Sequence, residues 1–142
     1  MKHLFVLICL LLVMPAMLTA CSPAGKDVPV SVSCDDFRAQ KTVVKNVQVK
    51  VGEKIVLSIC QQSGSTGYRW GEKAKLGNPQ VLEQISYKTV PPENPMPGAP
   101  ATDIWTLKAL QPGTCLAELE YGQSWQGGEK AAWTLKLNVT VQ

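Results

Sequence analysis

Histidine is almost missing from this sequence. Of 142 residues one is histidine, His3, and it sits in an N-terminal stretch that reads as a cleaved leader. A body without imidazole has no Ser-His-Asp or Cys-His nucleophile, no His-ligated zinc and no imidazole acid–base step. An excess of one charge is also lacking. Fourteen Lys and Arg stand against eleven Asp and Glu, formally +3, or +2 without Lys2 (13 minus 11). That balance is too small and too scattered for a nucleic-acid footprint. A sustained 3.6-residue apolar period is absent, and no Gly-rich loop leads from a strand into a helix, so nucleotide binding is not expected. Glu118 and Glu120 are a carboxylate pair by spacing, but two residues apart on one strand they read as a solvated polar face. The chain is read as a non-enzyme with no metal and no cofactor. Its length suits one domain.

The longest apolar run, Leu4 to Met14, has eleven residues, too short for the roughly 20 that span a bilayer. A charged start, an apolar centre and small residues near a cut site describe a secretory signal peptide. Leu18-Thr19-Ala20-Cys21 follows and resembles a bacterial lipobox, in which the cysteine becomes the lipidated N-terminus. Residues 1–20 are therefore expected to be a lipoprotein signal peptide, 21–30 the lipidated N-terminus and tether, and 31–142 the folded domain. Acyl chains at about 0.8 kcal/mol per buried CH₂ hold such a protein on a membrane. The expected location is outside the cytoplasm, anchored to the cell membrane or the outer membrane.

What the sequence has in quantity is alternation. Val43 to Val51, Lys54 to Cys60, Tyr68 to Trp70, Ile85 to Thr89, Ile104 to Leu110, Cys115 to Tyr121 and Trp133 to Val141 are β-rich segments. Most alternate apolar and polar residues, and turn signals separate them. This pattern predicts an all-β, immunoglobulin-like sandwich of about seven strands. Ile85, Tyr87 and Thr89 read as one face of their strand. Leu76 to Leu82 has room for one helical turn at most. Trp70, Trp105 and Trp133 lie on strands and read as core, and Arg69 as solvated. Three loops stand out: Ser63–Tyr68, Pro91–Ala101 with five of the ten prolines, and Gly122–Lys130. In an immunoglobulin order they share one end. Cys34, Cys60 and Cys115 are left for disulfide chemistry, and three pairings are open.

Val51-Gly52-Glu53, Ser65-Thr66-Gly67-Tyr68-Arg69-Trp70, Leu110-Gln111-Pro112-Gly113-Thr114 and Glu120-Tyr121-Gly122-Gln123-Ser124-Trp125 together resemble the chagasin family, immunoglobulin-like inhibitors of papain-type cysteine proteases. The resemblance runs from about Val43 to Val141. The family's first loop reads Asn-Pro-Thr-Thr-Gly and an aromatic; here Ser63-Gly64 replaces its first half. Its third loop reads Arg-Pro-Trp; here only Trp125 matches. Its middle loop is Gly-rich; here Pro97-Gly98-Ala99 takes that place. The resemblance implies a reversible inhibitor that blocks a papain-like protease cleft with Gly64, Ser65, Thr66, Gly67, Tyr68, Gly98, Ala99, Gln123, Ser124 and Trp125. Thr66 is expected at the tip, Tyr68 beneath it, and Trp125 as a rigid anchor. Gly64 and Gly67 permit positive φ or a close approach. A monomer is expected. The alternative is a surface binding or adhesion module on the same sandwich.

Topology then selects the disulfide. Cys60 ends the strand that leads into the first loop, whereas Cys115 begins a strand at the far end. Bridged Cα atoms must lie within about 7 Å. Cys34 with Cys60 is the expected pair, with Cys115 free and buried.

Overall fold

In the computed structural model, which describes residues 25–62 and 64–142, the clearest alternation becomes the spine of one sheet. Strand β9 (Trp133–Val141) buries Leu135, Leu137, Val139 and Val141 and turns the residues between them outward. It lies antiparallel to β8 (Gly113–Gln123), whose Cys115, Ala117, Leu119 and Tyr121 are buried in the same way. On its other side β9 pairs in parallel with β2 (Thr42–Val49). Strand β4 (Tyr68–Trp70) and the two-residue β5 (Lys75–Leu76) flank β8. The opposing sheet runs β1 (Asp27–Val32), β3 (Lys54–Gln61), β7 (Ala101–Ala109), β6 (Leu82–Val90). Two antiparallel-dominated sheets with inward faces of Val, Ile, Leu and Trp form the expected sandwich. Trp70 and Trp105 are fully buried, as a core reading requires.

Nine strands form among the described residues, two more than the alternation predicts. One is β5. The other is β1, which begins at Asp27 and so takes four residues from the stretch read as tether. It pairs in parallel with β3, from Asp27 opposite Lys54 to Val32 opposite Ile59. Pro29 is accommodated because β1 is an edge strand. A short helix, α1 (Cys34–Ala39), follows; the sequence reading places nothing helical there. Ser33 caps it in a reciprocal box with Asp36, and Phe37 is its fully buried residue.

The bridge is Cys34–Cys60, with Cα atoms 5.2 Å apart, and Cys115 is free and buried. Strand β1 carries the chain up beside β3, which delivers Cys34 to Cys60. Ile85 departs from the predicted face. The β6–β7 register slips between Gln84 and Ser86, and Ile85 is left 44% exposed. A bulge at that point reverses the alternation of the strand. The signal-peptide stretch 1–20 and Cys21 lie outside the described residues, as does Ser63. Among the described residues no helix is long and apolar enough to cross a membrane.

Candidate functional site at one end of the sandwich

Strand directions decide which loops meet. Strand β3 ends at Gln61, which pairs with Ala101, the first residue of β7. The loop after β3 therefore neighbours the Pro-rich loop that connects β6 to β7. Tyr68, first in β4, pairs with Gln123, last in β8, and Tyr121 pairs with Trp133. The third loop, 124–132, thus rises beside the first, 62–67. All three predicted loops share one pole, as an immunoglobulin order demands.

Under that pole lies a column of aromatic rings drawn from a chain with few aromatics. Tyr68 stacks on Tyr121 at 5.7 Å, and Tyr121 stacks on Trp133 at 4.8 Å. Trp133 continues onto Phe37 at 5.3 Å, and Phe37 meets Trp70 at 5.0 Å. Such ring pairs add about 0.5–1.5 kcal/mol each beyond their buried area. The polar ends of two rings are tied to the roots of the loops. Tyr121 Oη donates to the Gln62 carbonyl at 2.5 Å, and Trp70 Nε1 donates to the Cys60 carbonyl at 2.9 Å. Helix α1 therefore supports the first loop twice, through Phe37 in the column and through the disulfide.

The first loop is a single 3₁₀ turn, Gly64–Thr66, closed by Gly67. Gly67 has φ +72°, and the Trp125 indole lies over its α-carbon. A β-carbon there would come within 2.5 Å of Cζ3 and 2.6 Å of Cη2. This glycine is required twice, by backbone angle and by close approach. The third loop grips the first with polar contacts as well. Gln123 Nε2 donates to the Thr66 carbonyl at 3.1 Å, while its Oε1 accepts from the Glu129 amide at 3.0 Å. Tyr68 Oη donates to the Glu129 carboxylate, which raises the phenol's pKa above its ordinary value. Lys130 Nζ donates to the carbonyls of Gln123 and of Trp125, the latter at 2.9 Å.

The middle loop stands apart and is shaped by its own turn. Ala99 N–H donates to the Met96 carbonyl at 2.9 Å, around Pro97 and Gly98 with φ +84°. Proline then a positive-φ glycine is the pattern of a type II turn. Between this turn and the first loop opens a cleft of about 700 Å³. Gly64 and Thr66 line one side, Pro97, Gly98 and Ala99 the other, and Tyr121 and Trp133 the floor.

The structure thus brings Gly64, Ser65, Thr66, Gly67, Tyr68, Gln123 and Trp125 into one braced unit, with Ser124 exposed on its rim and Gly98 and Ala99 across the cleft. Trp125 is 48% exposed, so one part of the indole rests on Gly67 and the rest faces solvent. Gln123 is turned inward as a brace. Sequence reading misses Glu129 and Lys130, whose signal is slight: a charged pair just past the glycines of a loop. Among the described residues there is no group of three or more His, Cys, Asp or Glu suited to hold a metal ion.

Comparison with known proteins adds a family and a fold. A family model described as "Chagasin family peptidase inhibitor I42" matches residues 48–139. Among solved structures the chain is similar to the cysteine protease inhibitor EhICP2 from Entamoeba histolytica, at TM-score 0.64 and 18% identity, covering 85% of this chain and 100% of that one. It is similar to PbICP-C, solved in complex with falcipain-2, at TM-score 0.56 and 18% identity, covering 83% and 100%. Amebosin aligns at TM-score 0.51 and 18% identity, covering 85% and 100%. At such identities the likeness carries the sandwich fold. No curated protein matches the chain.

Proposed function

The chain belongs to the chagasin family of peptidase inhibitors, and from that premise we propose that it inhibits papain-like cysteine proteases reversibly by seating its three-loop pole in the active-site cleft. The observation that carries this reading is the bracing of the first loop by the third. A blocking element must enter a cleft without becoming a substrate. The Gly64–Thr66 turn offers no extended peptide bond, and Gln123, Trp125 and the disulfide keep it from extending. Thr66 stands at the tip of this edge. Trp125 supplies a rigid aromatic anchor at little conformational cost. The Pro97-Gly98 turn makes the second point of contact across the cleft. Interfaces of this kind bury about 1,600 Å² in total. The mechanism needs no nucleophile and no cofactor, and one copy of the chain is sufficient.

Lipid anchoring through Cys21 belongs to the same proposal. Leu18-Thr19-Ala20-Cys21 after an apolar run supports it, and the fold gives it a geometry. Asp27 pairs with Lys54 at the start of β3, so β1 begins at the pole away from the three loops. Eight strand residues at about 3.3 Å each raise the loops about 26 Å above that pole. A short tether at Cys21 would then present the loops outward to proteases arriving from solution. Cys21→Ser should release the protein from the membrane fraction; retention there would count against the anchor.

The deciding experiment is inhibition of papain and a cathepsin L-type enzyme by the soluble domain, residues 26–142. Competitive, reversible inhibition at nanomolar to low micromolar concentration is expected. A folded domain that does not inhibit at tens of micromolar would sink the reading and leave surface binding or adhesion in its place.

A further inference from the structure

Among the described residues Asp103 is the one charged side chain that is fully buried. It occupies an inward position of β7, opposite Ile59 of β3 and Thr89 of β6. Thr89 Oγ1 donates to its Oδ1 at 2.6 Å, and Tyr87 Oη lies 3.2 Å from Thr89 Oγ1. The Gln61 side-chain amide lies against both carboxylate oxygens; oriented with its nitrogen toward them, it donates to both, 2.6 Å from Oδ1. The charge of Glu72, in the connection after β4, acts on it, and its own charge acts on Tyr121 of β8. Gln61 is the last residue of β3, immediately before the first loop. Thr89 stands one residue before the end of β6, where the middle loop begins. One carboxyl therefore joins the roots of both loops.

We propose that Asp103 is a positioning residue for the inhibitory edge, fixing the roots of the first and middle loops to each other through Gln61 and Thr89. This rests on the three-loop reading above. The next inward residues of β7 are Trp105, Leu107 and Ala109, and an apolar side chain at 103 would avoid the desolvation cost of a buried carboxyl. What the carboxyl supplies is the bridge.

The bridge serves two protonation states. Ionised, Asp103 accepts from the Gln61 amide and the Thr89 hydroxyl. Neutral, its own O–H donates to the Gln61 side-chain carbonyl once that amide turns over. Burial raises the pKa of Asp103 above its ordinary value; the hydrogen bonds from Thr89 and Tyr87 oppose the rise, and the charge of Glu72 adds to it. With the folded pKa the higher, this contribution is complete below the unfolded value and is lost as pH rises through the folded one. The loop roots are held more firmly below the folded pKa of Asp103 than above it.

The test begins with the free protein. The Gln61 side-chain amide and the backbone amides of residues 62–67 and 91–100 should titrate together in ¹⁵N spectra, with a midpoint above the ordinary value of an aspartate. Asp103→Asn should abolish that titration. Thr89→Val removes a donor to the ionised form and should move the midpoint further up, which decides the matter if Asp103→Asn does not fold. Inhibition of papain should weaken severalfold as pH rises through that midpoint in the wild type and stay flat in Asp103→Asn, each constant being referred to enzyme activity at the same pH. Loop titration that persists in Asp103→Asn overturns the proposal, as do inhibition constants that track the wild type across pH. If the wild type inhibits no papain-like enzyme at any pH, the three-loop reading fails instead, and the titration of the free protein still decides what Asp103 does to the loops.

Discussion

Replacing Gly67 with alanine probes the joint between the first and third loops. Two separate obstacles meet the added methyl. The backbone at φ +72° is left-handed, which costs an L-residue about 1–2 kcal/mol. The new β-carbon would also lie 2.5 and 2.6 Å from two carbons of the Trp125 ring. The indole is half-exposed, so it yields by swinging off the first loop and leaves the sheets undistorted. These effects fall on different observables. Strain present in the free and bound protein cancels from affinity and appears as a loss of about 1–2 kcal/mol in unfolding free energy. Loss of the anchor's placement appears in affinity, about 2 kcal/mol or roughly 30-fold in the inhibition constant.

Urea unfolding and papain inhibition measure the two separately, and a double-mutant cycle isolates the contact. Without the indole the methyl has nothing to displace. In a Trp125→Ala background, Gly67→Ala should still cost its backbone strain in stability. It should leave the inhibition constant within about twofold of Trp125→Ala alone, the scatter expected of independent effects. Full additivity in affinity would refute the reasoning. So would a folded Gly67→Ala protein that inhibits as well as the wild type.

The remaining expectations concern the supports of that edge. Removing the Cys34–Cys60 bridge, which spans 26 residues, should lower stability by about 3.5 kcal/mol on the loop-entropy estimate; an unchanged midpoint in Cys34→Ala/Cys60→Ala would contradict it. Phe37→Ala should cost about 3–5 kcal/mol, because a fully buried ring leaves a cavity in the aromatic column; calorimetry that finds under 1 kcal/mol would remove α1 from the support of the loops. The Ser33 side chain and backbone hold the Asp36 carboxyl below its ordinary pKa, so this contribution is present above the unfolded value and lost as pH falls through the folded one. Helix α1 should therefore lose amide-exchange protection at residues 36–40 in acid before the sheets do, and simultaneous loss would argue against it. Gln123→Arg should weaken inhibition even though it moves toward the family's third-loop residue; stronger inhibition would show that the brace at 123 is dispensable.

The seven strands were legible because a sandwich buries one face of each strand, and burial writes itself as period two in β7, β8 and β9. The shared loop pole followed from strand order, and the disulfide from the position of Cys60. The misreadings have physical causes of the same kind. Strand β1 shows Val28, Val30 and Val32 in alternation, but Pro29 and the glycine and serine before it suggest a tether, and only an edge position reconciles proline with pairing. Helix α1 has six residues, too few to display a period, and its one signal is the Ser33–Asp36 box. A single bulge removed Ile85 from its face, and bulges leave no local mark. The braces of the site were illegible for another reason. Gln123 reaches Thr66 across 57 residues, and Tyr68 reaches Glu129 across 61; contacts so distant in sequence have no spacing rule.

These braces give physical sense to the departures from the family's loop motifs. The third loop here has Gln123-Ser124 where the resemblance leads one to expect Arg-Pro. Arginine offers donors and no acceptor. Glutamine offers both, and Gln123 uses both, donating to the first loop and accepting from Glu129. The positive charge has moved to the other stem, where Lys130 gathers the carbonyls of Gln123 and Trp125 and holds the loop closed in place of a proline. The first loop, without Asn-Pro, is likewise fixed from outside, by Trp125 above Gly67 and by Tyr121 and Trp70 at its root. Shape that motif residues would set locally is set here by contacts between loops. The contacts that hold the first loop fall on its backbone, at the Thr66 carbonyl and the Gly67 α-carbon, and on its root. On the proposed reading, affinity should then depend on how firmly these braces hold.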